Sequence, residues 1–268
     1  MTTSGAQLRN RLIISAVLVS GSVYTIFFAP VWLFFLVVET FVLLGLNEFL
    51  TLAEKKGLVI NRGLGLFFGA VFPLVHNLSL DSLIFVFASL SIFMFNFNRK
   101  LREQALVSTA VTVFGLMYVA WFLSFLVKLR FLPDGAEWVF YTIFIVKMGD
   151  AAAYFVGKTF GRRKLVEHIS PKKSVEGAAA GFVTTVLCSV GSLLYLPDVG
   201  FTHFLILGIA VALLAELGDL AESLIKRDVG VKDSGQIPGL GGVLDILDSL
   251  LLSAPFVYCY ITGVPGGY

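Results

Sequence analysis

Apolar runs follow one another along this chain with little between them. Nine can be marked, near residues 11–29, 31–53, 64–79, 82–98, 105–127, 137–157, 175–196, 201–225 and 243–263. A helix needs about 20 mostly apolar residues to cross the hydrocarbon of a bilayer, so these runs predict membrane spans. The third and fourth are short and read as a tilted pair or as partly re-entrant. The expected fold class is an all-α, polytopic integral membrane protein with about nine transmembrane helices. Composition points the same way. Of 268 residues, 57% are hydrophobic and 14% charged, where a soluble domain carries about 25% charged residues. Mean hydropathy is +0.88. An ordinary soluble enzyme is thereby excluded, and 26 Phe residues exclude a disordered or fibrous chain. Cys188 and Cys259 both fall in apolar runs and cannot build a disulfide framework or a zinc site. The net charge of +2 predicts no nucleic-acid partner. Arg9 and Arg11 precede the first run, but no clear small-x-small site follows, so a cleaved signal peptide is not expected.

The cations are unevenly spread. With the N-terminus inside, the cytoplasmic segments hold Arg9, Arg11, Lys55, Lys56, Arg62, Arg99, Lys100, Arg102, Lys158, Arg162, Arg163, Lys164, Lys172, Lys173, Lys226, Arg227 and Lys232. These are 17 of the 20 Lys and Arg residues. The outer loops keep only Lys128 and Arg130, and Lys147 lies inside a run. Such a split is the positive-inside pattern, so an N-in, C-out orientation is expected.

Ionisable residues within a membrane are costly and by default mark function. The first half has few of them. Asn47 and Glu48 fall near the cytoplasmic end of the second run, where charge is cheap, and Glu39 is deeper. All three read as structural. Helices one to four read as scaffold, or as a lipid-facing or dimer-forming layer, which leaves a homodimer open.

The second half is different, with three polar clusters on the cytoplasmic side. The first runs from Lys147 through Gly149, Asp150 and Tyr154 to Gly157 and Lys158. Lys147, Asp150 and Tyr154 share one helix face, and Gly149 with Ala151 to Ala153 permits close helix packing. The second holds Gly161 to Lys164 and then Ser170, Pro171, Lys172, Lys173, Ser174 and Glu176. Two lysines ahead of a helix start, with Ser174 and Glu176 as capping residues, form an anion site; a polybasic loop held near anionic lipid is the alternative. The third is the densest. Glu216, Asp219 and Glu222 repeat every three residues ahead of Lys226 and Arg227. Lys232, Asp233, Gly235, Pro238, Gly239, Gly241 and Gly242 then lead to Asp245 and Asp248. Carboxylate pairs without His or Cys suggest hard oxygen ligation, which fits Mg2+ better than zinc. Flanking lysines suggest a phosphate-rich substrate. The coupling-ion or proton site of a transporter is the competing reading. His76 and His203 lie near the outer side, and His168 reads as a solvated loop residue.

At these residues the sequence resembles the CDP-diacylglycerol synthase family, the phosphatidate cytidylyltransferases. The family signature S-x-x-K-R, four residues, K-D-x-G, a short gap, then P-G-H-G-G-x-x-D-R-x-D is matched by Ser223, Lys226, Arg227, Lys232, Asp233, Gly235, Pro238, Gly239, Gly241, Gly242, Asp245 and Asp248. Gly149-Asp150, Gly157-Lys158, Phe160 to Arg162 and Ser170 to Ser174 also look like the family. The resemblance covers roughly residues 140–260. Leu240 stands at the signature His and Ile246 at the signature Arg, and the gap after Gly235 is one residue shorter.

The resemblance implies that phosphatidic acid and CTP give CDP-diacylglycerol and pyrophosphate. Scaffold helices are expected over 1–135 and a C-terminal catalytic membrane domain over 136–268, with the site facing the cytoplasm; a compact chain with little extramembrane mass suggests a bacterial inner membrane. Asp219, Asp245 and Asp248, with Glu222, would hold Mg2+, with room for a second cation. Asp150 would join that shell or orient Lys147. Lys226, Arg227 and Lys232 would neutralise phosphate charge. Lys172, Lys173 and Ser174 would hold CTP or the lipid phosphate, with Ser223, Asp233, Gly241 and Gly242 also lining the substrate site. A CTP-dependent lipid or polyprenol kinase, a synthase for another lipid phosphate, and an ion-coupled transporter are the alternatives.

Overall fold

A computed structural model describes residues 17, 19–97, 104–235 and 241–263. Arg9, Arg11, Arg99, Lys100, Arg102, Pro238, Gly239 and Leu240 lie outside the described residues. Among the described residues, helices fall within the apolar runs marked above: α1 (19–27), α2 (Val31–Lys55), α3 (Arg62–Val71), α4 (Leu78–Phe97), α5 (Ala105–Arg130), α6 (Gly135–Phe160), α7 (Val175–Gly191), α8 (Phe201–Asp228) and α9 (Val243–Gly263). Among the described residues seven of these are long and apolar enough to cross a membrane, namely α2 and α4 to α9. Helix α3 with its 3-10 extension ends at Leu74 and is shorter. The protein is therefore an all-α integral membrane protein. The basic segment 158–174, expected as a plain loop, carries a two-stranded antiparallel hairpin, β1 (Lys164–Val166) and β2 (Ser170–Ser174).

Local chemistry sets the ends of these helices. Asn61 caps α3, its Oδ1 accepting from Leu64 N at 3.2 Å, and Ser174 caps α7, its Oγ accepting from Gly177 N at 3.1 Å. The Glu176 carboxylate, in the first turn of α7, accepts from the N–H groups of Arg162 and Arg163 at 3.0 and 3.2 Å, which ties the hairpin to the helix it precedes. Within the spans, hydroxyls bond to carbonyls one turn back, as Thr142 Oγ1 does to Trp138 O at 2.8 Å and Ser253 Oγ to Ser249 O at 2.7 Å. In hydrocarbon no water would otherwise satisfy them.

The chain divides into two compact units, residues up to Val127 with Asp233–Ile246, and Lys128–Lys232 with Leu247 onward. In the first, Leu46, Phe49 and Leu50 of α2 are buried with Phe72 and with Leu116 of α5. Glycines admit these side chains: a Cβ at Gly115 would stand 2.6 Å from the Phe49 ring, and one at Gly65 3.0 Å from Leu50. In the second, Trp138 and Tyr141 of α6 pack with Phe204 of α8. Helix α6 meets α7 along facing stripes of small residues: Gly149, Ala153 and Gly157 against Gly177, Gly181 and Thr185. A Cβ at Gly177 would lie 2.7 Å from the Ala153 carbonyl oxygen and one at Gly181 3.1 Å from that of Gly149. Between membrane helices such close backbone approach replaces the hydrophobic driving force available in water. Residues Asp233–Ile246 pack within the first unit. There the carboxylate of Glu48 of α2 accepts from Ser234, Val243 and Leu244.

Candidate active site

Helix α6 places Lys147 and Asp150 one turn apart, with Lys147 Nζ 2.8 Å from Asp150 Oδ2. The other oxygen of Asp150 lies 3.1 Å from Ser249 Oγ on α9. Ser249 also reaches its neighbour Asp248, donating its N–H to Oδ1 at 2.6 Å, with its hydroxyl 3.1 Å from the same oxygen. A hydroxyl carries one hydrogen, so Ser249 ties the two carboxylates by sharing it. Asp219 of α8 joins them: Lys147 feels the charges of Asp150, Asp248 and Asp219, and Asp248 those of Asp219, Lys147 and Asp150. Gly218 makes this approach possible, since a Cβ there would stand 2.5 Å from the Asp248 carbonyl oxygen.

Lys173, at the end of β2, closes the other flank. Its Nζ is 2.6 Å from Glu216 Oε1 and 3.0 Å from Asp219 Oδ2, and Ser223 Oγ donates to Asp219 Oδ1 at 3.4 Å. Burial alone would lower the pKa of Lys173; the carboxylates of Asp219 and Glu216 outweigh it and hold the ammonium above its ordinary value. Two ammonium groups thus face the four carboxylates of Asp150, Glu216, Asp219 and Asp248, and Asp248 is only 7% exposed.

Fully ionised, these four carboxylates exceed the two lysines by two negative charges, and like charges so placed call for a further cation. Among the described residues no three His, Cys, Asp or Glu side chains come together closely enough to hold a metal by themselves. Mg2+ asks for less, since one or two carboxylates commonly hold it while water and substrate phosphate fill the other positions. The donor chemistry of Asp150, Asp219 and Asp248 fits that ion.

The remaining residues singled out from sequence are placed as follows. Asp245 lies in the N-terminal unit, where its Oδ2 accepts from Ser234 N at 2.8 Å and Gly242 N at 2.6 Å and lies 2.9 Å from Ser234 Oγ. Gly241, at φ +88°, and Gly242 leave room for these bonds: a Cβ on Gly241 would stand 2.7 Å from Asp245 Oδ2. Glu222 is fully buried and forms an ion pair with the buried Lys226 one turn on. Arg227 donates to the carbonyls of Ile169 at 3.0 Å and Val231 at 3.1 Å, bracing the hairpin against the end of α8. Lys172, Lys232 and Asp233 are exposed, and Ser174 is the buried cap of α7. Sequence reasoning gave no role to Ser249, placed Glu216 in the carboxylate stripe with Asp219 and Glu222 without a partner, and set Glu48 down as structural. Their partners lie 43 to 196 residues away along the chain, so no spacing reveals them.

A model of the cytidylyltransferase family matches residues 9–264. The chain is similar to a phosphatidate cytidylyltransferase of Bacillus subtilis, 39% identical over 145 residues, which are 53% of this chain and 54% of that protein. It is similar to one of Mycobacterium bovis, 39% identical over 163 residues, 60% of this chain and 53% of that protein. The matched part thus spans about half the length of these relatives. The similarity to a phosphatidate cytidylyltransferase of Synechocystis is longer, 32% identical over 283 residues, 93% of this chain and 95% of that protein. With the family's model matched from end to end of the described helices, this chain belongs to the cytidylyltransferase family.

Proposed function

We propose that this protein transfers CMP from CTP to phosphatidic acid, giving CDP-diacylglycerol and pyrophosphate in phospholipid synthesis. The observation that carries the reading is the cluster of Asp150, Asp219 and Asp248 flanked by Lys147 and Lys173. The names of the relatives agree with it. In the reaction a phosphate oxygen of the lipid forms a bond to the α-phosphorus of CTP, and the bond from that phosphorus to the bridging oxygen of pyrophosphate breaks. A phosphate monoester has its second pKa near 6, so the nucleophile is ionised at neutral pH and needs no general base.

The difficulty is bringing two anions together. Lys147 and Lys173 supply fixed positive charge where phosphate charge gathers. Asp219 and Asp248, with Asp150 beside them, would hold Mg2+, which when bound supplies Lewis-acid polarisation of the nucleotide phosphates. Ser249 keeps Asp150 and Asp248 side by side. The two acyl chains of the substrate stay in the bilayer while its head group enters the polar cluster.

The reading is tested by giving purified protein CTP, Mg2+ and phosphatidic acid. Release of pyrophosphate with formation of CDP-diacylglycerol is expected. Release of CDP instead would make the protein a CTP-dependent lipid kinase, and no turnover of CTP would turn the reading to another lipid acceptor or to the transporter.

The cation distribution supports an N-in, C-out arrangement in a bacterial inner membrane, with the site facing the cytoplasm. Ser170→Cys, in a background where Cys188 and Cys259 are replaced by alanine, is expected to resist an impermeant thiol reagent added to intact cells and to react after lysis. Labelling in intact cells would overturn this orientation.

A further inference from the structure

We infer that Glu48 is a positioning residue, a clamp from α2 that fixes the start of α9 and the carboxylates borne there. Its Oε1 accepts from Val243 N at 2.9 Å, and its Oε2 accepts from Leu244 N at 2.9 Å and lies 2.9 Å from Ser234 Oγ. The first N–H groups of a helix have no partner within it. Here a carboxylate 195 residues earlier in the chain meets two of them, at the helix end where the macrodipole favours negative charge.

The glycines of the motif are explained by the same contact. A Cβ on Gly242 would run into Glu48 Oε2 and Ser234 Oγ and stand 2.5 Å from Gly235 N, and a Cβ on Gly235 would run into Glu48 Oε1 and stand 2.8 Å from Gly242 Cα. The glycines therefore admit the Glu48 carboxylate. The N–H of Gly242 is directed to Asp245 Oδ2 at 2.6 Å, and Ser234 Oγ lies 2.9 Å from Glu48 and from Asp245 alike. Glu48, Ser234, Gly242 and Asp245 form one network, and Asp248 lies one turn further along α9. The catalytic part of this inference rests on the transfer reaction proposed above; the clamp does not.

The test uses the full-length protein in detergent, reading hydrogen–deuterium exchange of peptides covering 241–248 beside the kinetics of pyrophosphate release. Glu48→Ala is expected to speed exchange there about tenfold or more and to lower kcat about tenfold, with KM for CTP little changed, because Glu48 touches no substrate. Glu48→Gln, which keeps the shape and one acceptor, is expected to fall between. Glu54→Gln, on the same helix but paired with Arg62 at 3.0 Å on the surface, is expected to match the parent protein. Gly242→Ala is expected to speed the same exchange, since its Cβ would run into Glu48 Oε2 and Ser234 Oγ and stand 2.5 Å from Gly235 N. Exchange over 241–248 that is unaltered in both Glu48 variants would overturn the clamp. A parent protein inert toward CTP would overturn the transfer reaction, and the exchange arm would still decide the clamp.

Discussion

Asp248→Asn and Asp219→Asn are each expected to lower pyrophosphate release at least about 100-fold, because each removes a formal charge from the proposed Mg2+ site. The change should be chemical and local. In Asp248→Asn the new amide oxygen can still accept from the N–H of Ser249, which lies 2.6 Å from Asp248 Oδ1 in the parent protein. Asp219→Asn leaves Lys173 its 2.6 Å contact with Glu216. Both variants should therefore melt near the parent protein while binding Mn2+, a spectroscopic stand-in for Mg2+, more weakly. Asp245→Asn is expected to behave differently. One oxygen of Asp245 takes two N–H donors and faces a hydroxyl; the amide oxygen of Asn can take the same place, but without the charge that strengthens such bonds. A hydrogen bond to a charged group contributes about 1.5–3 kcal/mol against about 1 for a neutral one, so this variant should lose thermal stability as well as rate. An Asp248→Asn enzyme within about threefold of the parent would remove that residue from the chemistry.

These two behaviours mark where the sequence could be read and where it could not. Apolar length alone located the helices, because hydrocarbon admits little else. Lys147 and Asp150 could be paired from sequence, since their contact lies within one helix turn. Spacing misleads elsewhere for a physical reason. Asp245 and Asp248 look like one pair, yet Asp245 turns to the N–H groups of its own loop while Asp248 feels Asp219, Lys147 and Asp150. Glu222 and Lys226 look like site residues, yet a buried lysine needs the nearest counter-charge, and that lies one turn back on its own helix. Ser249, Glu216 and Glu48 act through contacts 99, 43 and 186 or more residues away. Such contacts follow from helix packing, which the facing stripes of small residues permit but do not specify.

Lys173→Met is expected to lower turnover about 100-fold, the scale on which fixed transition-state charge is lost. Met fills a similar volume, so the hairpin and the cap of α7 should survive. What goes is the single ammonium that sits 2.6 Å from Glu216 and 3.0 Å from Asp219. Left without it, the two carboxylates repel each other and an incoming phosphate alike. The pH profile separates this role from a titrating one. Burial works to lower the pKa of Lys173, but Asp219 and Glu216 prevail and raise it above the ordinary 10.5. A cation raised on folding contributes stability that is whole below its unfolded value and is lost only as pH rises through the folded one. Lys173 is therefore charged throughout the neutral range. Its loss should scale the whole rate profile down between about pH 6 and 9 without changing its shape. An alkaline limb in that range that vanished in Lys173→Met would show the lysine losing its proton during the reaction, and the fixed-charge role would have to be abandoned.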